Sequence, residues 1–107
     1  MVSNCRQSDS VFRAISDPTR REILAILRGG QQTVGGIAEN FRMSRPAISK
    51  HLRILHRAGL VHTRRRGTAS YCSLNARPLT HVSDWLSDYE SFWRDSLKGL
   101  KHFVEEK

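Results

Sequence analysis

Between Asn40 and Ser83 the chain has no aspartate and no glutamate. All ten acidic residues lie outside that stretch, which carries Arg42, Arg45, Lys50, Arg53, Arg57, Arg64, Arg65, Arg66 and Arg77. The net charge of +8 suggests a polyanionic partner, and an acid-free basic run inside one domain says where that partner sits. Other scarcities exclude whole classes. The two cysteines, Cys5 and Cys72, form no CxxC pair and cannot build a disulfide framework. The apolar runs are only a few residues long, too short to span a bilayer. The opening MVSNCRQSDS has no apolar core of the kind a secretory signal needs, so the expectation is a cytoplasmic protein with no membrane partner. There is no phosphate-cradling glycine loop, and no spacing of Ser, His and Cys suggests a triad. Neither an enzyme nor a cofactor is expected. A chain of 107 residues suits one domain and buries only a small core unaided.

What is present reads as a run of short helices, one hairpin and a long last helix. Residues 1–8 read as a disordered tail. Val11, Phe12, Ala14 and Ile15 mark a first helix. Asp17 then caps a second one, with Pro18 at its first position, where a missing N–H costs nothing. Ile23, Leu24 and Leu27 are its apolar face, and Gly29-Gly30 ends it. Thr33 caps a third, short helix weakened by Gly35 and Gly36. Met43 lies in the turn that follows, and Ser44 caps a fourth helix that tolerates Pro46 in its first turn and stops at Gly59. The apolar period then shortens to two. Val61–Arg66 and Ser70–Leu74 form a hairpin about Gly67-Thr68, and a last helix starts near Pro78. This order predicts one mainly helical domain over residues 1–107 with a small β-hairpin. It is a winged helix-turn-helix, with the helix-turn-helix at 33–58, the wing at 61–74 and a C-terminal helix at 78–106.

The fourth helix has two unlike faces. At about 100° per residue, Ala47, Ile48, Leu52, Ile54, Leu55 and Ala58 share one arc. Arg45, Ser49, Lys50, Arg53, His56 and Arg57 share the other. No carboxylate balances the basic arc. A second helix behind a short helix and a tight turn is the element that enters a major groove, so double-stranded DNA is the expected partner. Ser44, Arg45, Pro46, Ser49 and Lys50 stand at the reading end, where the forked Arg45 suits a bidentate contact with guanine. Arg53 and Arg57 suit phosphates. His51 falls within the apolar arc, and both a packing role and a DNA contact stay open for it. In the wing, Arg64, Arg65, Arg66 and Thr68 surround Gly67, and strand alternation keeps the three arginines from sharing one face.

The last helix repeats apolar residues at steps of three or four: Val82, Trp85, Leu86, Tyr89, Phe92, Trp93, Leu97, Leu100, Phe103 and Val104. At about 1.5 Å per residue it would be about 40 Å long, more stripe than a compact winged helix covers. A second copy of the chain is the expected cover. Val11 and Phe12 of the first helix would join Trp85, Leu86, Tyr89, Phe92, Trp93, Leu97 and Leu100 in a two-fold interface. That symmetry sets two reading helices on successive major grooves of a pseudo-palindrome.

The segments FRAISDPTRREILAIL, SRPAISKHLRILHRAGLV and RRRGTASYCSL, over about residues 11 to 75, resemble the ArsR/SmtB family of bacterial winged-helix repressors. The resemblance implies a homodimer that binds operator DNA, often its own promoter, and represses transcription. Many members of that family release DNA when a metal binds. The third-helix cysteine signature is replaced here by Thr33-Val34-Gly35-Gly36-Ile37-Ala38, which offers no ligand. Of the last-helix pattern only His81 with Asp84 and His102 with Glu105 are found, short of the four ligands a zinc site needs. No metal site is expected. The Phe92-Trp93 pair resembles the metal-free branch, whose members are autorepressors or respond to unknown signals, so the inducer is left open. Two alternatives stand beside this reading. One is a protein-interaction module on the same scaffold. The other is a metal- or redox-responsive repressor, for which the thiols of Cys5 and Cys72 are the redox candidates. RNA is disfavoured, because the basic stretch holds only Phe41 and Tyr71 for stacking on bases.

Overall fold

The computed structural model describes residues 2–95. Helix α1 (Val2–Ile15) starts earlier than expected and takes in what read as a disordered tail. Helix α2 (Pro18–Leu27) is capped by Asp17, whose carboxylate accepts the Arg20 backbone N–H at 3.0 Å. Strand β1 (Gln32–Thr33) is two residues long, and Thr33 goes on to cap α3 (Val34–Ala38) by accepting the Gly36 N–H at 3.0 Å. Asn40 closes the other end of α3, donating from Nδ2 to the Gly36 and Ile37 carbonyls.

Helix α4 (Arg45–Arg57) begins at Ser44, whose Oγ accepts the Ala47 N–H at 3.3 Å. It ends in a reciprocal cap. Gly59, at φ +79°, donates to the His56 carbonyl, and Leu60 donates to that of Leu55. That pattern needs a left-handed residue and so selects glycine. Asn75 locks the corner from outside, its side chain donating to the Gly59 carbonyl at 2.8 Å and its backbone N–H to that of Leu60.

Strands β2 (Val61–Arg66) and β3 (Ala69–Leu74) pair antiparallel from Val61–Leu74 to Arg66–Ala69 about the two-residue turn Gly67-Thr68. The expected hairpin gains a third strand, because β1 pairs with the far edge of β3 (Gln32 with Cys72, Thr33 with Tyr71). Two residues are too few for period-two alternation to show in the sequence. The core lies between α1, α2, α3, α4 and the base of the sheet. It is built from Ala14, Ile23, Leu24, Leu27, Ile37, Ile48, Leu52, Leu55, Ala58, Leu60, Val61 and Cys72.

The expected long last helix is interrupted among the described residues. A 3-10 turn (Arg77–Leu79) leads into α5 (Thr80–Ser87), and a second 3-10 turn spans Glu90–Phe92. Ser87 donates its hydroxyl back to the Asp84 carbonyl at 2.6 Å, and the Asp88 and Tyr89 N–H groups bond three residues back, to Trp85 and Leu86. Ser and Asp compete for backbone partners in this way and end helices where packing does not hold them. The expected continuation through Leu97 and Leu100 lies outside the described residues. No described helix is long and apolar enough to cross a membrane.

Candidate nucleic-acid interface

Helix α4 packs one arc and shows the other. Ile48, Leu52 and Leu55 are buried, whereas Arg45, Pro46, Lys50, Arg53, His56 and Arg57 are exposed and Ser49 is half-buried. The apolar residues repeat at steps of three and four, so burying them against α1, α2 and α3 turns the basic residues outward. Among the described residues no carboxylate comes within ion-pair distance of any cation on this arc. Ser44 and Pro46 are exposed at the entry of the helix, where the Ser44 hydroxyl already serves as its cap.

His51 belongs to a different constellation. Its ring is half-buried and turned toward the start of α2. Arg20 Nη1 lies 3.2 Å from His51 Nδ1. A guanidinium can only donate, so Nδ1 accepts and the neutral ring carries its proton on Nε2. The rest of the Arg20 side chain, 9% exposed, donates from Nε to the Ala14 carbonyl at 2.7 Å and from Nη2 to the Arg13 carbonyl at 3.0 Å. Asp17 Oδ2 stands 3.8 Å from His51 Nδ1. Burial works against the Asp17 charge, but the Arg20 backbone N–H and the charge of Arg20 outweigh it and hold the carboxyl below its ordinary value. Of the two roles open for His51, the structure displays the packing one. Arg20, which the sequence reading passed over, is the buried cation that ties α1 and α2 to α4. Its signal was an arginine one helical turn into a capped helix, at a place where an apolar residue would be ordinary.

The wing stands beside α4. Alternation puts Val61, Thr63 and Arg65 on one face of β2, with Cys72 and Ser70 across from Thr63 and Arg65. Val61 and Cys72 are buried, so this face looks toward α4, and Arg64 and Arg66 take the other. Every residue of β2 after Val61 is exposed, as are Gly67 and Thr68, because the tip projects past the body and both of its faces meet solvent. Arg64, Arg65 and Arg66 are therefore all accessible in spite of the alternation. Gly67 makes the turn at φ +62°.

Two clefts separate wing from helix. One, of about 400 Å³, has Val34, Leu52, Thr63 and Cys72 beneath Ser49, Arg53, His56 and Arg57. The other, of about 480 Å³, lies nearer the tip among Thr33, Val34, Arg45, Ser49, Thr68, Ala69 and Ser70. Cys72 is 1% exposed, and burial pushes its thiol up while the Thr63 hydroxyl, 3.9 Å from Sγ, pulls weakly the other way. A buried thiol held in its protonated form is a poor nucleophile, which disfavours Cys72 as a redox sensor. The side chain of Cys5 lies outside those described.

The residues expected at a self-association surface differ in exposure. Val11 is 0% exposed and belongs to the core of its own chain, so it is withdrawn from that surface. Phe12 is half-buried and meets Trp85 edge-to-face at 5.7 Å, and Trp85 leans on Tyr89 at 5.1 Å. Trp85, Leu86, Tyr89, Phe92 and Trp93 are all exposed, Phe92 at 83%. Leu97 and Leu100, like the His102 and Glu105 considered as metal ligands, lie outside the described residues. Among the described residues no three His, Cys, Asp or Glu side chains gather as a metal site.

A short helix, a turn, an outward-facing basic helix and a basic hairpin wing define a winged helix-turn-helix DNA-binding regulator, which is not an enzyme. The model for the bacterial regulatory protein, arsR family, matches residues 17–63. The chain is 47% identical to the transcriptional repressor SdpR of Bacillus subtilis over 81 residues, 76% of this chain and 90% of that one. An ArsR-like transcriptional regulator from Rhodococcus superposes with a TM-score of 0.75 at 31% identity, covering 100% of this chain and 98% of that one. A winged helix-turn-helix DNA-binding domain from Mycobacterium bovis, described as homodimeric, superposes at 0.68 with 25% identity over 87% of this chain and 88% of that one. The chain belongs to the ArsR family of bacterial regulatory proteins.

Proposed function

We propose that the chain acts as a homodimeric, sequence-specific repressor whose two α4 helices enter successive major grooves of a pseudo-palindromic operator, its own promoter included. The observation that carries this reading is the carboxylate-free basic arc of α4 beside an equally basic wing. Ser49 and Lys50 stand where a recognition helix meets base edges, and Arg45 beside them also meets DNA. Arg53 and Arg57, further along, suit phosphates. Arg64, Arg65, Arg66 and Thr68 at the wing tip suit the backbone or the adjacent minor groove. The exposed aromatic surface of α5 and the residues after it supports the second copy, as does the homodimeric domain from Mycobacterium bovis with its similar fold. Repression is supported by the SdpR relative. The reading assigns no metal, since residues 33–38 offer no ligand.

Hydroxyl-radical footprinting on the DNA upstream of the chain's own gene tests this. The expected result is two protected patches related by two-fold symmetry, their centres about 10 base pairs or a multiple of that apart, unchanged by a chelator. A single unpaired patch would remove the symmetric dimer, and protection that appears only with added metal would restore metal sensing.

A further inference from the structure

Two adjacent glycines in a five-residue helix need a reason, because glycine weakens helices. At Gly36 the reason is local crowding. A Cβ there would lie 3.0 Å from Gln32 Oε1 and 3.2 Å from Thr33 Oγ1. At Gly35 the side chain in the way, among the described residues, is Arg45. A Cβ would stand 3.3 Å from its Nη2, 3.7 Å from its Cζ and 4.0 Å from its Nη1. The Arg45 guanidinium thus lies back against the bare backbone of α3 at Gly35. There it forms one wall of the cleft whose other polar lining is Thr33, Ser49, Thr68 and Ser70.

We propose that this cleft seats one backbone phosphodiester of the bound DNA, with Arg45 as its clamp and the absent Gly35 side chain as a condition for the clamp's position. The inference rests on the DNA-binding reading and deepens it. It moves Arg45 from guanine recognition, and Ser49 from the base edges, to phosphate recognition, and it adds Thr33, Ser70 and Gly35 to the site. The chemistry fits a phosphodiester. A guanidinium and a fan of hydroxyls offer donors from three elements, and a phosphate oxygen accepts from both kinds. Thr33 Oγ1 accepts the Gly36 N–H and still has its own proton to donate. Among the described residues that line the cleft there is no acid to repel an anion. The three walls come from α3, α4 and the tip of the hairpin. An occupied seat would therefore fix the wing relative to the reading helix and set its register on the duplex.

Gly35→Ala separates this role from a structural one, because the two effects run in opposite directions. Alanine favours the helix, and the atom it meets is the far end of a flexible side chain, so melting temperature is expected to hold or rise. Fluorescence anisotropy is expected to show affinity falling several-fold by the same factor on the promoter duplex and on a scrambled duplex. Arg45→Ala should do the same and flatten the slope of log K against log salt by about one. A neutral methylphosphonate walked along each half-site should find one position that weakens the wild type and not Arg45→Ala. Loss confined to the promoter with an unchanged slope would make Arg45 a base reader and overturn the seat. Wild-type affinity in Gly35→Ala, or the lack of any such phosphate position, would overturn it too. Failure of the wild-type chain to bind either duplex would instead remove the DNA reading itself.

Discussion

Arg20 shows how one buried side chain can hold three elements. Its guanidinium meets two carbonyls at the end of α1 and the His51 ring on α4, and its own backbone N–H completes the cap of α2. Replacing it by Met keeps the bulk but withdraws the donors. Arg20→Met is expected to lower stability by about 1 to 3 kcal/mol, the cost of leaving buried acceptors unpaired, read from urea denaturation. Asp17 adds a dependence on pH. Its pKa is lower in the folded chain than unfolded, so its contribution is fully present above about pH 4 and is lost as pH falls through the folded value. Asp17→Ala should cost about 1 kcal/mol near neutrality as a lost N-cap. The gap between variant and wild type should close below about pH 4 in thermal melts across the acid range. An equal gap at every pH would show that the carboxylate charge plays no part. In the sequence, Asp17 and Pro18 were legible as a cap because capping is local. The partner of Arg20 was not, because His51 lies 31 residues further along.

Elements that answer to local rules were read well, and those that answer to distant contacts were not. The start and stop of α4 follow from Ser44 and Gly59, and its two-faced composition follows from its period. The third strand depends on pairing with β3, about 40 residues away. The last helix misled for the opposite reason. Its apolar spacing is regular, but Ser87 and Asp88 turn the chain after α5, and spacing alone does not register that. Residues 1–8 have little apolar pattern and so read as a tail, although α1 runs through them from Val2. The corner after α4 is the joint on which the wing's placement depends. Gly59→Ala would force a Cβ into the left-handed region and is expected to lower stability by about 1 to 2 kcal/mol, measured by thermal melting. Asn75→Ala, which frees the Gly59 carbonyl, should act in the same direction. A neutral Gly59→Ala would show that the corner relaxes without strain.

At the scale of the molecule, the basic surface of α4 and the wing is separate from the exposed aromatics of α5 and the turn after it. Trp85, Tyr89, Phe92 and Trp93 are too large and too exposed to be an ordinary surface of a small chain. Tryptophan and tyrosine are also the residues that most often carry binding energy at interfaces. Replacing Trp93 by Ala, or Phe92 by Ser, should weaken self-association about tenfold or more in sedimentation equilibrium while the circular dichroism spectrum is kept. A Trp93→Ala chain that stays fully dimeric would take Trp93 out of the interface. How much of that surface was legible depended on the residue. Phe92 and Trp93 are exposed as their spacing suggested, whereas Val11 proved to be core, since α1 spends its inner face on its own chain.

The central claim is that α4 and the wing form one basic surface that reads duplex DNA. Its most direct test is fluorescence anisotropy of the wild-type chain on its own upstream duplex and on a scrambled one, across a salt series, with and without a chelator. The account predicts tight binding that prefers the upstream duplex, weakens steeply with salt as phosphate contacts require, and ignores the chelator. Equal, weak binding to both duplexes would contradict sequence-specific reading at that promoter, and no binding at low salt would contradict the nucleic-acid surface altogether.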